Sequence, residues 1–161
     1  MPSVKVVPVI NTSVRHLCTK AYPGHPKGCP NWNHKAGCPP HIETVEQLLD
    51  FSKSIFAVYN RFDLGTHVQQ LRKKHPKWSE RQLHCCLYWQ GTARKQLRQE
   101  VALLLADLHQ FSTGYDPVVL YVPEANGVDV TTTMATVGFV IEWPPRLYAF
   151  QVALVGQRRG C

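Results

Sequence analysis

Residues 1–42 contain no aspartate or glutamate, yet they carry Lys5, Arg15, Lys20, Lys27 and Lys35. Over the whole chain 18 Lys and Arg face 11 Asp and Glu, a formal charge of +7 in 161 residues. Such a balance is either a solvated basic surface or a sign of an anionic partner: a nucleotide, a nucleic acid or an acidic redox protein. No run of 18 apolar residues occurs, so no transmembrane helix is expected. The first ten residues are interrupted by Pro8 and lack a small-residue cleavage site, so they are not expected to be a signal peptide. The expected compartment is the cytoplasm, where disulfides are unfavourable. Six cysteines (18, 29, 38, 85, 86 and 161) then point to metal binding or reactivity. Repeats and low-complexity segments are also absent, and the length fits a single domain, residues 1–161.

The pattern predicts an α/β or α+β domain with a mixed sheet, one long helix and an N-terminal cysteine-rich metal loop. Residues 4–10 read as an edge strand because of Pro8. Residues 11–42 form the cysteine loop. Residues 44–52 read as a helix with Thr44 and Gln47 as a capping box. Strands are expected over 55–59 and 118–122, and a short helix over 67–74, ended by Pro76. Ser79, with Gln82 three residues on, opens a helix reaching residue 111, with Leu97, Val101, Leu104, Leu105 and Leu108 as its core stripe. Gly91 inside it costs about 1 kcal/mol relative to alanine and suggests a kink or a close approach. Asp129 caps a short helix over 130–137, and residues 139–143 and 147–155 read as paired strands around Pro144-Pro145.

The cysteine loop carries the chemistry. Between Cys18 and Cys38 lie Pro23, Gly24, Pro26, Gly28, Pro30, Asn31, Asn33 and Gly37, residues that build turns and no core. A clamp is needed, and Cys18, Cys29 and Cys38 can supply one. The C-x10-C-x8-C spacing lacks the C-x2-C of zinc ribbons and the C-x2-C-x2-C of bacterial ferredoxins; the C-x3-C-x2-C of radical S-adenosylmethionine enzymes is absent too. Three readings stay open: an iron–sulfur cluster with three cysteine ligands, a Cys3His zinc site completed by His16, His25, His34 or His41, and unrelated buried thiols. Neighbouring lysines are expected to favour thiolate. Lys20, Tyr22, Lys27, Trp32 and His34 interleave with the cysteines and could bind an anionic substrate by stacking and charge; Trp32 and Tyr22 could equally shield a metal. Cys86, three residues after Leu83 on the expected long helix, is the inward member of its pair, either a packed thiol or a fourth ligand or redox thiol. Cys161 reads as an exposed thiol.

Gly37-Cys38-Pro39-Pro40, followed by Ile42-Glu43-Thr44-Val45-Glu46 and a helix, resembles an uncharacterised family of predicted metal-binding proteins with a Cys-Pro-Pro signature. Glu124-Ala125-Asn126-Gly127-Val128-Asp129-Val130, with Thr133 and then Gly138-Phe139, is similar to that family's Glu-Ala-x-Gly-Ile-Asp-Val stretch near the C-terminus. The family usually has a further cysteine-rich segment before this stretch, and residues 108–123 contain no cysteine. The resemblance therefore implies one cluster, of the [4Fe-4S] type, on Cys18, Cys29 and Cys38. It directs attention to Glu124 as a proton donor or ligand of an open iron, and to Asp129, which also suits a helix cap. The functional expectation is an iron–sulfur enzyme of sulfur transfer or desulfuration acting on a thiolated nucleobase or nucleotide. The alternatives are a non-enzymatic electron-transfer or nucleic-acid-binding iron–sulfur module with a redox partner, and a zinc-stabilised structural protein.

Overall fold

The computed structural model describes residues 2–21, 25–111 and 114–160. Its frame is a four-stranded sheet in the order β1-β2-β4-β3, formed by β1 (Ser3–Val6), β2 (Ile55–Asp63), β3 (Pro117–Leu120) and β4 (Tyr148–Gln157). The central pairing runs from Ile55 opposite Gly156 to Asp63 opposite Tyr148. All three pairings are antiparallel. The class is therefore α+β, and the mixed sheet expected from sequence is corrected to an antiparallel one. β1 is an edge strand, as expected, but it ends at Val6, short of Pro8 and of the expected bound at residue 10.

Side chains alternate across a strand, so the sheet has two apolar faces. Ile55, Ala57 and Leu154 join Val45, Leu49, Val128, Val130 and Met134 on one face. Val58, Ala153 and Val155 pack on Leu97, Val101 and Leu104 of α4 (Gln90–Phe111) on the other. The second face continues at Phe62 and Ala149, where Leu64 and Val68 of α2 (Leu64–Lys74) meet Leu83, Trp89 and Ala93. Buried Asn60 donates through Nδ2 to Ala93 O at 3.1 Å and Gln96 Oε1 at 2.9 Å, while its Oδ1 has no partner among the described residues.

Several sequence expectations need correction. The helix expected over 44–52 is one turn, α1 (Val45–Leu48), because Leu49 bridges to Arg158. The long helix is broken. Ser79 caps only α3 (Glu80–Leu83), its N–H donating to Gln82 Oε1 at 2.9 Å. A 3-10 turn, Cys86–Tyr88, follows before α4 begins. The reason is packing. Leu83 and Trp89 both enter one cluster, whereas six residues of continuous helix set side chains about 240° apart. Gly91 falls in the first turn of α4 with open space where a Cβ would stand, so it marks neither a kink nor a close approach. Residues 139–143 form no strand; β4 pairs along β2 instead, and the Phe139 ring lies 4.6 Å from that of Tyr59. α5 (Val130–Ala135) forms under Asp129, as expected.

Candidate metal centre

The cysteine loop begins with a 3-10 helix, Thr12–Thr19, that buries none of its residues. Its attachment is polar. Arg15 Nε donates to Ala125 O at 3.1 Å, and its Nη2 donates to Ile42 O at 2.7 Å and Pro40 O at 3.2 Å. One guanidinium thus ties the start of the loop to its end and to a segment 110 residues away. Cys18 lies in the last turn of this helix, and Cys29 N–H donates to Cys18 O at 2.7 Å. That approach requires Gly28, whose φ is +84° and whose added Cβ would stand 2.7 Å from Cys18 O. Beyond it, Trp32 N–H donates to Cys29 O, and Asn33 N–H donates to Pro39 O. Cys38 N–H donates to Lys35 O at 2.9 Å, and Cys38 O accepts from the His41 and Ile42 N–H groups at 3.0 and 3.2 Å. The Pro39–Pro40 bond is cis and Pro39 is buried.

The distant Glu124–Thr133 stretch is the loop's socket. Pro123–Asn126 is a 3-10 turn ended by Gly127 at φ +86°. Gly127 O accepts from Asn11 N–H at 2.9 Å, and Asn126 Nδ2 donates to Glu43 O at 2.8 Å. Asp129 N–H donates to Val9 O at 2.8 Å, while Val9 N–H donates to Thr133 Oγ1 at 2.9 Å. Both ends of the loop, residues 9–15 and 40–43, are therefore fastened to one short motif and the helix after it. The socket includes Glu124, whose residue keeps some exposure while its carboxyl is enclosed; burial pushes that carboxyl up, with Asp129 adding to the shift.

Electrostatics place the thiols and this acid in one neighbourhood. Burial pushes the Cys18 thiol up, and Cys29, Cys38 and Glu124, in that order, push it further. The expectation that neighbouring lysines favour thiolate is corrected at Cys18: the shift runs the other way. Cys29, Cys38 and Glu124 thus each act on the Cys18 thiol as groups that become negative on losing a proton, an influence a cation bound there would relieve. The five described cysteines are free thiols. Among the described residues no group of three or more His, Cys, Asp or Glu side chains is placed so that it could hold a metal ion. The donor set itself, three soft thiols with one carboxyl, suits a thiophilic metal or an iron–sulfur cluster.

The other expected site residues separate into two groups. Trp32 is half-buried with its ring 5.4 Å from that of His16, and Lys20, Lys27 and His34 are exposed on the same loop. Tyr22 lies outside the described residues. Cys86 is not at this site. It packs with Leu83, Trp89 and Phe62 on the α4 face of the sheet, opposite the face that carries Val128 and Val130. Its thiol is pushed up by burial first and by Cys85 next, as suits a packed thiol. Sequence reasoning missed Arg15. Its signal was available: it is the only arginine in an acid-free stretch of 42 residues, so its hydrogen bonds had to be found elsewhere. No described helix is long and apolar enough to cross a membrane. Compared with protein-family models, curated proteins and solved structures, the chain has no match.

Proposed function

We propose that Cys18, Cys29 and Cys38 hold one [4Fe-4S] cluster, with Glu124 at its unligated side, and that the protein acts on a sulfur-bearing nucleobase or nucleotide. The observation that carries this reading is that the free thiol of Cys18 is acted on by Cys29, Cys38 and Glu124, in a loop fastened at both ends to the stretch that carries Glu124. When bound, such a cluster supplies a Lewis-acidic iron able to accept a sulfur ligand. The protein's own residues divide the remaining work. Arg15 and Gly28 fix the backbone on which the thiols sit. Glu124 retains its proton more firmly than an ordinary carboxyl, which suits donation to a leaving group. Lys20 and Lys27 offer charge to a phosphate, and Trp32 and His34 offer rings to a base. The family likeness carried by residues 37–46 and 124–138 supports the same assignment, because Asn126 donates to Glu43 O and Arg15 bonds to both segments.

Anaerobic isolation tests the cofactor. The expected protein is brown, with about four irons and four sulfides per chain. Cys18→Ser, Cys29→Ser and Cys38→Ser should each abolish the colour, while Cys86→Ser retains it. A colourless protein holding zinc overturns the iron–sulfur assignment. Retention of the cluster in any of the three loop variants overturns the ligand set. Electron paramagnetic resonance of the reduced protein should shift on adding a thiolated nucleoside monophosphate and not on adding its oxygen counterpart; identical spectra overturn the open iron.

A further inference from the structure

On the α4 side of the sheet, away from the cysteine loop, three rings form a ladder. His75 stacks on Trp78 at 4.0 Å and 8°, and Trp78 stacks on Tyr88 at 5.1 Å and 30°. They come from the end of α2, from the connection to α3 and from the 3-10 turn before α4. Trp78 also packs against the Leu64–Leu83 cluster, so the middle rung is anchored in the core. Core packing accounts for Trp78. It does not account for the rungs on either side, His75 and Tyr88, which stay exposed, Tyr88 at 48 %.

The surrounding charge has one sign. From residue 72 to residue 98 there are eight lysines and arginines and one acid, Glu80. Glu80 is already engaged by Arg72, with His84 Nδ1 3.7 Å away. Lys74 and Lys77 are exposed and flank His75 and Trp78 along the chain. Arg94, near the start of α4 and six residues after Tyr88, is also exposed. Among the described residues none of these three cations has a salt-bridge partner. The rings stack on one another, which leaves the outward faces of exposed His75 and Tyr88 at the two ends of the ladder. Beside unpaired cations these match what an unpaired polynucleotide offers: bases that stack on any aromatic face and phosphates that follow the cations. A duplex keeps its bases inside and can use only the charge.

We infer that His75, Trp78 and Tyr88, with Lys74, Lys77 and Arg94, form a binding surface for single-stranded nucleic acid, separate from the metal centre. Fluorescence anisotropy with the full chain and a labelled oligouridylate tests it. The wild type should bind the single strand more tightly than a duplex of equal length. Tyr88→Ala should weaken binding about 5- to 100-fold with an unchanged salt slope, and Tyr88→Phe should restore it. Lys74→Gln with Lys77→Gln should flatten the slope of log affinity against log salt by about 0.7 for each phosphate no longer neutralised. Equal affinity for single strand, duplex and heparin, with Tyr88→Ala binding as tightly as wild type, overturns the stacking surface and leaves a general polyanion field. No binding at low salt overturns it altogether.

Discussion

Arg15 and Glu124 show how single side chains set the properties of the loop. Arg15 uses charge-assisted hydrogen bonds to neutral carbonyls of Pro40, Ile42 and Ala125, bonds stronger than those between neutral groups, so a segment with almost no apolar burial gains a fixed path. Glu124 works in the opposite sense. Burial, then Asp129, raise its carboxyl, so in metal-free protein the folded state holds this proton more tightly than the unfolded chain does. The sign follows from linkage: a raised folded value contributes stability that is fully present below the unfolded value and is lost as pH climbs through the folded one. Glu124→Gln removes the ionisation. Urea midpoints of chelator-treated wild type and variant should be similar near about pH 4 and diverge in favour of the variant as pH rises above the ordinary glutamate range. Parallel profiles would show that the enclosed carboxyl carries no penalty for its charge.

At the scale of elements, α5 and its cap separate two roles that the sequence left joined in Asp129. Its Oδ1 accepts from Thr132 N–H and its Oδ2 from the Thr132 hydroxyl, both at 2.9 Å, while its own N–H donates to Val9 O. Asp129→Ala should cost about 1 kcal/mol of unfolding free energy and Asp129→Asn much less, since asparagine caps as well as aspartate. Metal content should be unchanged in Asp129→Asn; loss of metal there makes the carboxylate a ligand and not a cap. This cap was legible in the sequence because a cap is a local event, and so was the Ser79–Gln82 box. The strand β2 was legible from its apolar run, although its last four residues were not, since their partners lie far along the chain in β4. The break between α3 and α4 was hidden. Nothing within residues 80–90 announces it; only the shared burial of Leu83 and Trp89 on Phe62 demands it. The three cysteines were readable as a set from composition, whereas the Arg15 clamp spans 110 residues and leaves only an unexplained arginine behind.

For the molecule as a whole, the core and the candidate site rest on different physics. β2, β4 and α4 meet through buried Val58, Leu97, Val101, Leu104, Ala153 and Val155. Among the described residues of 11–42 only Gly28 and Pro39 are buried, and the segment is held by the Arg15 clamp and by backbone hydrogen bonds to the socket. Local opening free energy follows such differences in apolar burial. Amide hydrogen exchange on chelated and metal-loaded protein should therefore divide the chain. Amides of β2, β4 and α4 should exchange at the same slow rate in both forms. Amides of Cys29, Trp32, Cys38 and Ile42, which donate only within the loop, should exchange quickly without metal and slow markedly with it. The Asn11 and Asp129 amides, which link the start of the loop to the socket, should lie between. Equal protection of the loop in both forms would mean that Arg15 and the socket alone fix the thiols, making the site preformed and the metal a passenger in folding. Loss of protection in β2 and β4 on chelation would mean the reverse, that the loop's fastening supports the sheet on which it sits.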